Sequence, residues 1–421
     1  MMKIQFFSIS TGRMMSHQGL RFLLQLPARF LTVMLLLVLT LVATHTYLQP
    51  GFPVTHDGEN HLARFANYKV AIREGQFPPR FAPNLMNHYG YPVFNYNYPL
   101  ANILSLPFSL IKVHYEVTFK VLMVLIVCFG LIGVYGWLRS LFFSRGAARL
   151  GMILFGLSPF LTQILNVRGN IGELSAFCLI PWILWSIESS GSRRFVDRSV
   201  PLKNFVMNFI WPVSLLTAFL LSHNVTVLFG LPMIVIYGLL RFGKRWQKWV
   251  RFVAWLGLSI GLSLWFWLPA VMEQNLVVVA QADLVKQFLT QFATFAELLF
   301  APTQFGFSYP GSIDGLSFRL GLMELILVIG AIIVLFKGQF LRTLRSKKVD
   351  LIDQPNLIVL LSAVVSILIF VCNLSFSTPL WQLIPLAKFI QFPWRLHLFW
   401  VICSLPSHYS QINLLFLVEL S

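Results

Sequence analysis

Leu100-Ala101-Asn102-Ile103-Leu104-Ser105-Leu106-Pro107-Phe108-Ser109-Leu110-Ile111 is the stretch on which the architecture turns. It is apolar, yet well short of the roughly 20 residues that a helix needs to cross a bilayer. Counting it as a crossing inverts every segment downstream, and the basic residues arbitrate. If it lies in the interface or re-enters, Arg139/Arg145/Arg149, Arg193/Arg194/Arg198/Lys203, Arg241/Lys244/Arg245/Lys248/Arg251 and Lys337/Arg342/Arg345/Lys347/Lys348 share a side with Lys3, Arg13, Arg21 and Arg29 of the N-terminal tail. That side then holds 21 of the 32 basic residues, mostly in short loops, which is the signature of a cytoplasmic face. The stretch is therefore read as non-crossing, with the N-terminus cytoplasmic.

The rest of the chain is consistent with a bilayer as its solvent. Of 421 residues, 57% are hydrophobic, 15% aromatic and 11% charged, against about 25% charged in soluble domains. The mean hydropathy of +0.73 excludes a disordered chain, a coiled coil and a soluble enzyme with one anchor. A net charge of +17 raises nucleic acid as a partner, but the positive-inside placement of the charge argues against it. Cys128, Cys178, Cys372 and Cys403 lie inside apolar runs without CxxC spacing and read as small core residues.

The expected fold is an all-α integral membrane protein of about ten transmembrane helices. The runs are Phe30–Tyr47, Val117–Leu138, Leu150–Asn166, Leu174–Ile187, Phe205–Leu221, Val225–Leu240, Phe252–Ala270, Leu320–Phe336, Leu357–Cys372 and Trp394–Leu405. The first lacks a small-x-small cleavage site and reads as a retained helix rather than a signal peptide. This divides the chain into a cytoplasmic tail (1–29), a first helix (30–48), a long extracytoplasmic loop with the interface or re-entrant segment (49–116), a transmembrane core (117–270), a second large outer loop (271–319) and C-terminal helices (320–421).

Nearly every unusual polar residue falls in the outer loops. Thr55-His56-Asp57-Gly58-Glu59-Asn60-His61-Leu62-Ala63-Arg64 opens a helix running to Gly75, on which Asp57, His61, Arg64 and Tyr68 share one face. Two carboxylates and two histidines within six residues, just outside a membrane helix, are a concentrated chemical signal. A capped interface helix with a wet charged face explains the same residues more plainly. Next, Gly75 to Pro99 is rich in proline and tyrosine and suits either the headgroup level or stacking on a sugar. The tight turn from Asn166 to Glu173 places Arg168 and Glu173 at the hydrocarbon edge, where an unpaired charge costs about 2.5 to 3.5 kcal/mol. They serve either as a mutual clasp or toward a substrate. Ser222-His223-Asn224 is a second tight polar turn, and Gln391-Phe392-Pro393-Trp394-Arg395 puts an arginine at the start of the last span, suited to anchoring or to phosphate.

Metalloprotease, nucleotide-loop and hydrolase-elbow motifs are absent. Asp57 and Glu59 offer hard oxygen ligands for one Mg²⁺ or Mn²⁺.

Taken in order, Asp57-x-x-x-His61-x-x-Arg64, Gly75 to Pro83, Gly90-x-Pro92-x-Phe94, Arg168-Gly169 with Glu173 and Pro181-Trp182, Ser222-His223-Asn224, Leu268-Pro269 with Glu273, and Gln391-Phe392-Pro393-Trp394-Arg395 resemble a family. They look like the multi-pass membrane proteins called 6-pyruvoyl-tetrahydropterin synthase-related, which are similar to YfhO-like proteins and to lipid-linked glycosyltransferases of the GT-C fold. The name does not imply pterin chemistry, because the nine histidines show no zinc-site grouping.

The resemblance implies a GT-C-like glycosyltransferase of the plasma membrane, bacterial by analogy, moving a sugar from a polyprenyl-phosphate donor to a lipid, glycan or protein at the outer face. Asp57 takes the position of the catalytic base or metal ligand, with Glu59 or His61 as helper. Arg64, Arg168, Glu173, His223, Asn224 and Arg395 are expected to bind substrate. Two departures stand out. Gly58 separates acids that are often adjacent in GT-C enzymes, and the chain ends at Ser421 where relatives usually continue, so a truncated C-terminus is expected. The competing readings are a transporter or flippase of lipid-linked sugars, for which no internal repeat is visible, and a non-catalytic accessory protein.

Overall fold

The computed structural model of the chain describes residues 27–190, 205–243, 245–277, 291–302, 304–306, 316–335, 355–383 and 392–409. The tail through Leu26, the basic runs Arg193–Lys203 and Lys337–Lys348, Lys244, Gln391 and the segment after Tyr409 lie outside the described residues.

Every element of any length among the described residues is a helix. In chain order they are α1 Ala28–Ala43, α2 Gly58–Arg73, α3 Leu100–Leu110, α4 Tyr115–Phe142, α5 Arg145–Gly156, α6 Ile171–Ser189, α7 Trp211–Leu220, α8 Asn224–Phe242, α9 Trp246–Met272, α10 Leu322–Val334, α11 Pro355–Cys372 and α12 His397–Ser404. Strand pairing among the described residues is limited to isolated bridges such as Ala82 with Tyr91. Five stretches are long and apolar enough to cross a membrane: α4, the run Arg145–Arg168 that α5 begins, α6, α8 and α9. Five further apolar helices, among them α1, α3, α10 and the 17-residue Asn356–Cys372, are shorter. The expectation of about ten crossings is thus matched by five helices of spanning length among the described residues.

The other five apolar helices are 10–17 residues long among the described residues, and one of the spanning stretches is itself interrupted. Arg145–Arg168 is broken by a bend at Leu157 and Ser158, where the Ser158 hydroxyl caps the next turn by accepting from Leu161 N, and it ends in a π-turn over Ile164–Arg168. The π-turn stops at Gly169, whose φ of +61° closes the helix in the left-handed region that glycine tolerates without strain.

The core is built on α4 against α6. Both are apolar on all sides, as buried membrane helices are. Gly130, Gly133 and Gly136 line the face of α4 that receives Cys178, Trp182 and Trp185 of α6; a methyl group on any of them would lie 2.3 to 2.5 Å from the opposing side chain. With no hydrophobic effect between helices inside lipid, such close contact of small residues supplies the packing energy. By contrast α1 and α9 present Val33, Leu37 and Leu41, and Val253, Ile260, Leu264 and Leu268, as exposed apolar rows suited to lipid.

Leu100–Ile111 appears as the 11-residue α3. At 1.5 Å per residue it is roughly 16 Å long, about half the hydrocarbon thickness. It packs on α2 and α4, and its tip, Leu110 and Ile111, is left exposed.

Candidate functional site

The segments expected on the outer side meet at one end of the helices. His56 N and Asp57 N donate to the carbonyls of Val167 and Arg168 at 3.0 and 2.8 Å, and Leu100 N donates to Leu221 O at 3.0 Å. Asn224 Nδ2 donates to Tyr96 O, Asn95 Nδ2 to Glu273 Oε2, and Ala293 N to Asn373 O. The His56 ring meets Phe305 edge-on at 5.1 Å.

Asp57 sits at the N-cap position of α2, but its side chain does not cap. That task falls to Thr55, whose Oγ1 accepts from Gly58 N at 3.2 Å. The turn is tight enough that a Cβ on Gly58 would lie 2.5 Å from the Thr55 hydroxyl, and one on Gly169 2.2 Å from it. Gly58, noted in the sequence only as a spacer between two acids, is what lets this loop close. The Asp57 carboxylate is released toward the turn between α5 and α6: its Oδ2 accepts from Asn170 Nδ2 at 3.0 Å and lies 3.7 Å from Arg168 Nη2. Its side chain stays 32% exposed.

Arg168 is held from three directions. Its Nη1 donates to Glu173 Oε2 at 2.6 Å, and its guanidinium lies over the Trp394 ring at 4.8 Å. Asn170 caps α6 by accepting from Glu173 N with Oδ1, and the same oxygen accepts from the Tyr98 hydroxyl at 2.9 Å. Glu173 is 1% exposed. The mutual clasp is therefore the observed arrangement for Arg168 and Glu173, with Asp57 as the more open carboxylate on the same guanidinium.

The charged face of α2 turns inward rather than to water. His61 is 1% exposed and packs between Phe119, centroids 6.0 Å apart, and Tyr98, 6.3 Å apart. Burial first, then Arg64 and His223, hold its pKa well below the ordinary value, so it is neutral at pH 7, and its Nε2 has no hydrogen-bond partner among the described residues. His223 packs edge-on to Tyr98 at 5.1 Å. Its Nδ1 accepts from Thr226 N, capping α8, which leaves Nε2 as the donor of the neutral ring. Burial and the positive charge of Arg395 and Arg168 lower its pKa strongly. Burial pushes the Tyr98 phenol up to about 12, with Arg64, Asp57, Glu173 and Arg168 all close enough to act on it. Tyr98 is thus the hub of the site, a role hidden in the sequence by its place in a run of similar tyrosines.

Asp57, His61, Arg64, Arg168, Glu173, His223 and Arg395 are brought together. Glu59 is exposed and forms no ion pair with a described residue; Asn224 donates from Nδ2 to the Tyr96 carbonyl, and its buried Oδ1 has no hydrogen-bond partner among the described residues. Asp57 and Glu59 do not fit a divalent-cation site: Asp57 Oδ2 already accepts from the Asn170 amide and faces the Arg168 guanidinium, and no group of three histidine, cysteine or carboxylate ligands gathers among the described residues. Three arginines against two carboxylates, with neutral histidines between them, leave the cluster net positive and suited to an anion.

The opposite end holds a feature the sequence reading missed. Glu188, 7% exposed, accepts from Arg241 and from the Tyr237 hydroxyl, each at 2.5 Å, and Tyr237 in turn accepts from Trp137 Nε1 at 2.9 Å. This side carries more than basic loops: a buried polar network ties α4, α6 and α8. The 49 to 53 residues separating Glu188 from its partners gave no local signal.

A family model described as "6-pyruvoyl-tetrahydropterin synthase related domain; membrane protein" matches residues 94–406. The match includes Tyr98, Arg168, Glu173, His223 and Arg395 and begins after Asp57. An uncharacterized protein of Lactococcus lactis subsp. cremoris (strain MG1363) is 23% identical over 268 residues, covering 60% of this chain and 42% of its own length. The chain therefore spans less than half of that relative.

Proposed function

The chain belongs to the 6-pyruvoyl-tetrahydropterin synthase related family of membrane proteins, and on that premise we propose that it is a membrane glycosyltransferase using a polyprenyl-phosphate-linked sugar. In this reading the shorter apolar helices other than α3, with α12, complete a bundle of about ten crossings similar to YfhO-like and GT-C proteins.

The observation that carries the reading is the half-open Asp57 carboxylate held beside a buried, net-positive cluster where distant loops meet. An acceptor hydroxyl is a poor nucleophile until a base takes its proton. Asp57 accepts that proton as the acceptor oxygen bonds to the anomeric carbon. The bond from that carbon to the phosphate oxygen breaks, and the polyprenyl phosphate leaves with the electron pair and one more negative charge. Arg168 and Arg395, with His223 Nε2 as a neutral donor, are the groups to stabilise it. Asn170 and Glu173 hold Arg168 and Asp57 in place before substrate arrives. No step requires a metal.

Placement at the end of the helices favours chemistry at the membrane surface over transport, which uses charges near the midplane. The test is transfer of a radiolabelled sugar from a polyprenyl-phosphate donor to extracted lipid, glycan or protein acceptors by the purified protein in liposomes. Labelled product is expected. Donor lipid that changes leaflet without chemical change would instead establish a flippase.

A further inference from the structure

Roughly 18 Å along α2 from Asp57, at 1.5 Å per residue, the helix reaches Lys69, which with Arg73 lines a second, separate concavity. The opposite wall comes from the end of α3 through Leu106, Ser109 and Leu110, and Lys112 closes it. The cavity measures about 150 Å³, at least about ten times the space that one bound water needs. It is thus ringed by three cations and floored by apolar side chains.

Those cations are held in no close ion pair among the described residues. Glu74 and Glu116, the acids next to them in sequence, are exposed, and no ion pair joins Lys69, Arg73 or Lys112 to a described residue. Lys69 lies over the Tyr115 ring at 5.9 Å. Ser109 is 5% exposed, and its buried hydroxyl has no hydrogen-bond partner among the described residues. Lys112 adds a further oddity. The chain leaves α3 in a closing turn, with Val113 N donating to Phe108 O and Lys112 at φ +59°. Glycine or asparagine is the usual occupant of that left-handed position, so a lysine there carries backbone strain.

Location identifies the ligand class. Tyr115, three residues beyond Lys112, begins the 28-residue spanning helix α4, which puts the groove at the level where that helix enters lipid. Leu110 is 83% and Ile111 74% exposed beside it. Charge compensation of the α2 C-terminus explains Arg73 alone; it does not explain three cations, a buried unpartnered hydroxyl and an apolar lip on one cavity. We propose that the groove formed by Lys69, Arg73, Ser109 and Lys112 binds the phosphate headgroup of an anionic membrane lipid, with the acyl chains running over Leu106, Leu110 and Ile111. It lies apart from the Asp57 cluster and does not depend on the proposed transferase activity.

The full-length protein in detergent is titrated with dioctanoyl phosphatidylglycerol, dioctanoyl phosphatidylcholine and inorganic phosphate while its melting temperature is followed. Phosphatidylglycerol is expected to raise the melting temperature, and the other two are not. A juxtamembrane cation is worth roughly fivefold in affinity for an anionic lipid, so the triple variant Lys69→Gln/Arg73→Gln/Lys112→Gln is expected to weaken the response by about 100-fold. Lys112→Gly suits the left-handed backbone, keeps the fold, and is expected to weaken it by about fivefold. Phosphatidylcholine acting as well as phosphatidylglycerol, inorganic phosphate alone reproducing the shift, or both variants responding like wild type would each overturn the proposal.

Discussion

The backbone N–H of Asp57 donates to the backbone carbonyl of Arg168 at 2.8 Å, so two residues 111 positions apart in sequence are joined through their main chains before their charges meet at 3.7 Å. The first outer loop and the turn between α5 and α6 therefore act as one unit. Its side chains can be replaced singly without dissolving its frame.

That frame makes Asp57→Asn a clean probe of chemistry. The amide keeps the volume and an acceptor for Asn170, while losing the ability to take a proton. Transfer is expected to fall by about 10²- to 10⁴-fold, with the melting temperature and membrane insertion unchanged. Wild-type transfer rates in the variant would remove Asp57 from the mechanism.

Arg168 and Glu173 are different, because both are buried. Arg168→Met strands a carboxylate that is 1% exposed, and breaking a buried pair costs about 3 to 5 kcal/mol. Glu173→Gln should cost less, and Arg168→Met/Glu173→Gln less than the sum of the two. Denaturant or thermal melts of the four proteins measure this coupling, and strict additivity would deny the pair its structural role.

Gly172 offers a test of the Tyr98 hub. A Cβ there would lie 2.0 Å from Tyr98 Cε2, so Gly172→Ala must push the ring away from Asn170. Overpacking of this kind costs about 1 to 3 kcal/mol. In a Tyr98→Ala background the same substitution should be nearly neutral, as thermal melts would show.

The buried neutral histidines predict a pH slope. His61 and His223 have folded pKa values below the unfolded value near 6.5. The unfolded chain thus binds more protons than the folded one at acid pH. Their contribution to stability is complete above about pH 6.5 and is lost as pH falls, at up to about 1.4 kcal/mol per pH unit for each group. His61→Phe, which retains the stack on Phe119, is expected to flatten the fall in melting temperature between pH 6.5 and 5. An unchanged slope would mean that His61 is not neutral in the folded state.

The membrane character of the chain and the shortness of the Leu100–Ile111 helix were legible in the sequence because they follow from composition and run length, which are local quantities. So were the residues worth watching in the outer loops, since charges beside apolar runs are conspicuous. The interior shape of the helices was less legible: a hydropathy run does not register the bend at Leu157 and Ser158 or the π-turn before Gly169. That Glu59 faces out while Asp57 meets Arg168 was not legible, because whether a helix side chain faces core or water depends on what packs beside it.

By itself, then, the sequence determined an all-α membrane protein and marked the loops whose polar residues were worth following. Only the tertiary structure decided which of those residues meet. Asp57, Tyr98, Arg168, His223 and Arg395 become a single net-positive cluster, Glu188 pairs with Arg241 at the far end, and Lys69, Arg73 and Lys112 form a groove of their own. The physical reason is range. Hydrophobic periodicity acts between neighbours in the chain, whereas ion pairs and close approaches such as Gly169 on Thr55 arise between residues far apart in sequence, from the packing of helices whose facing surfaces no local pattern specifies.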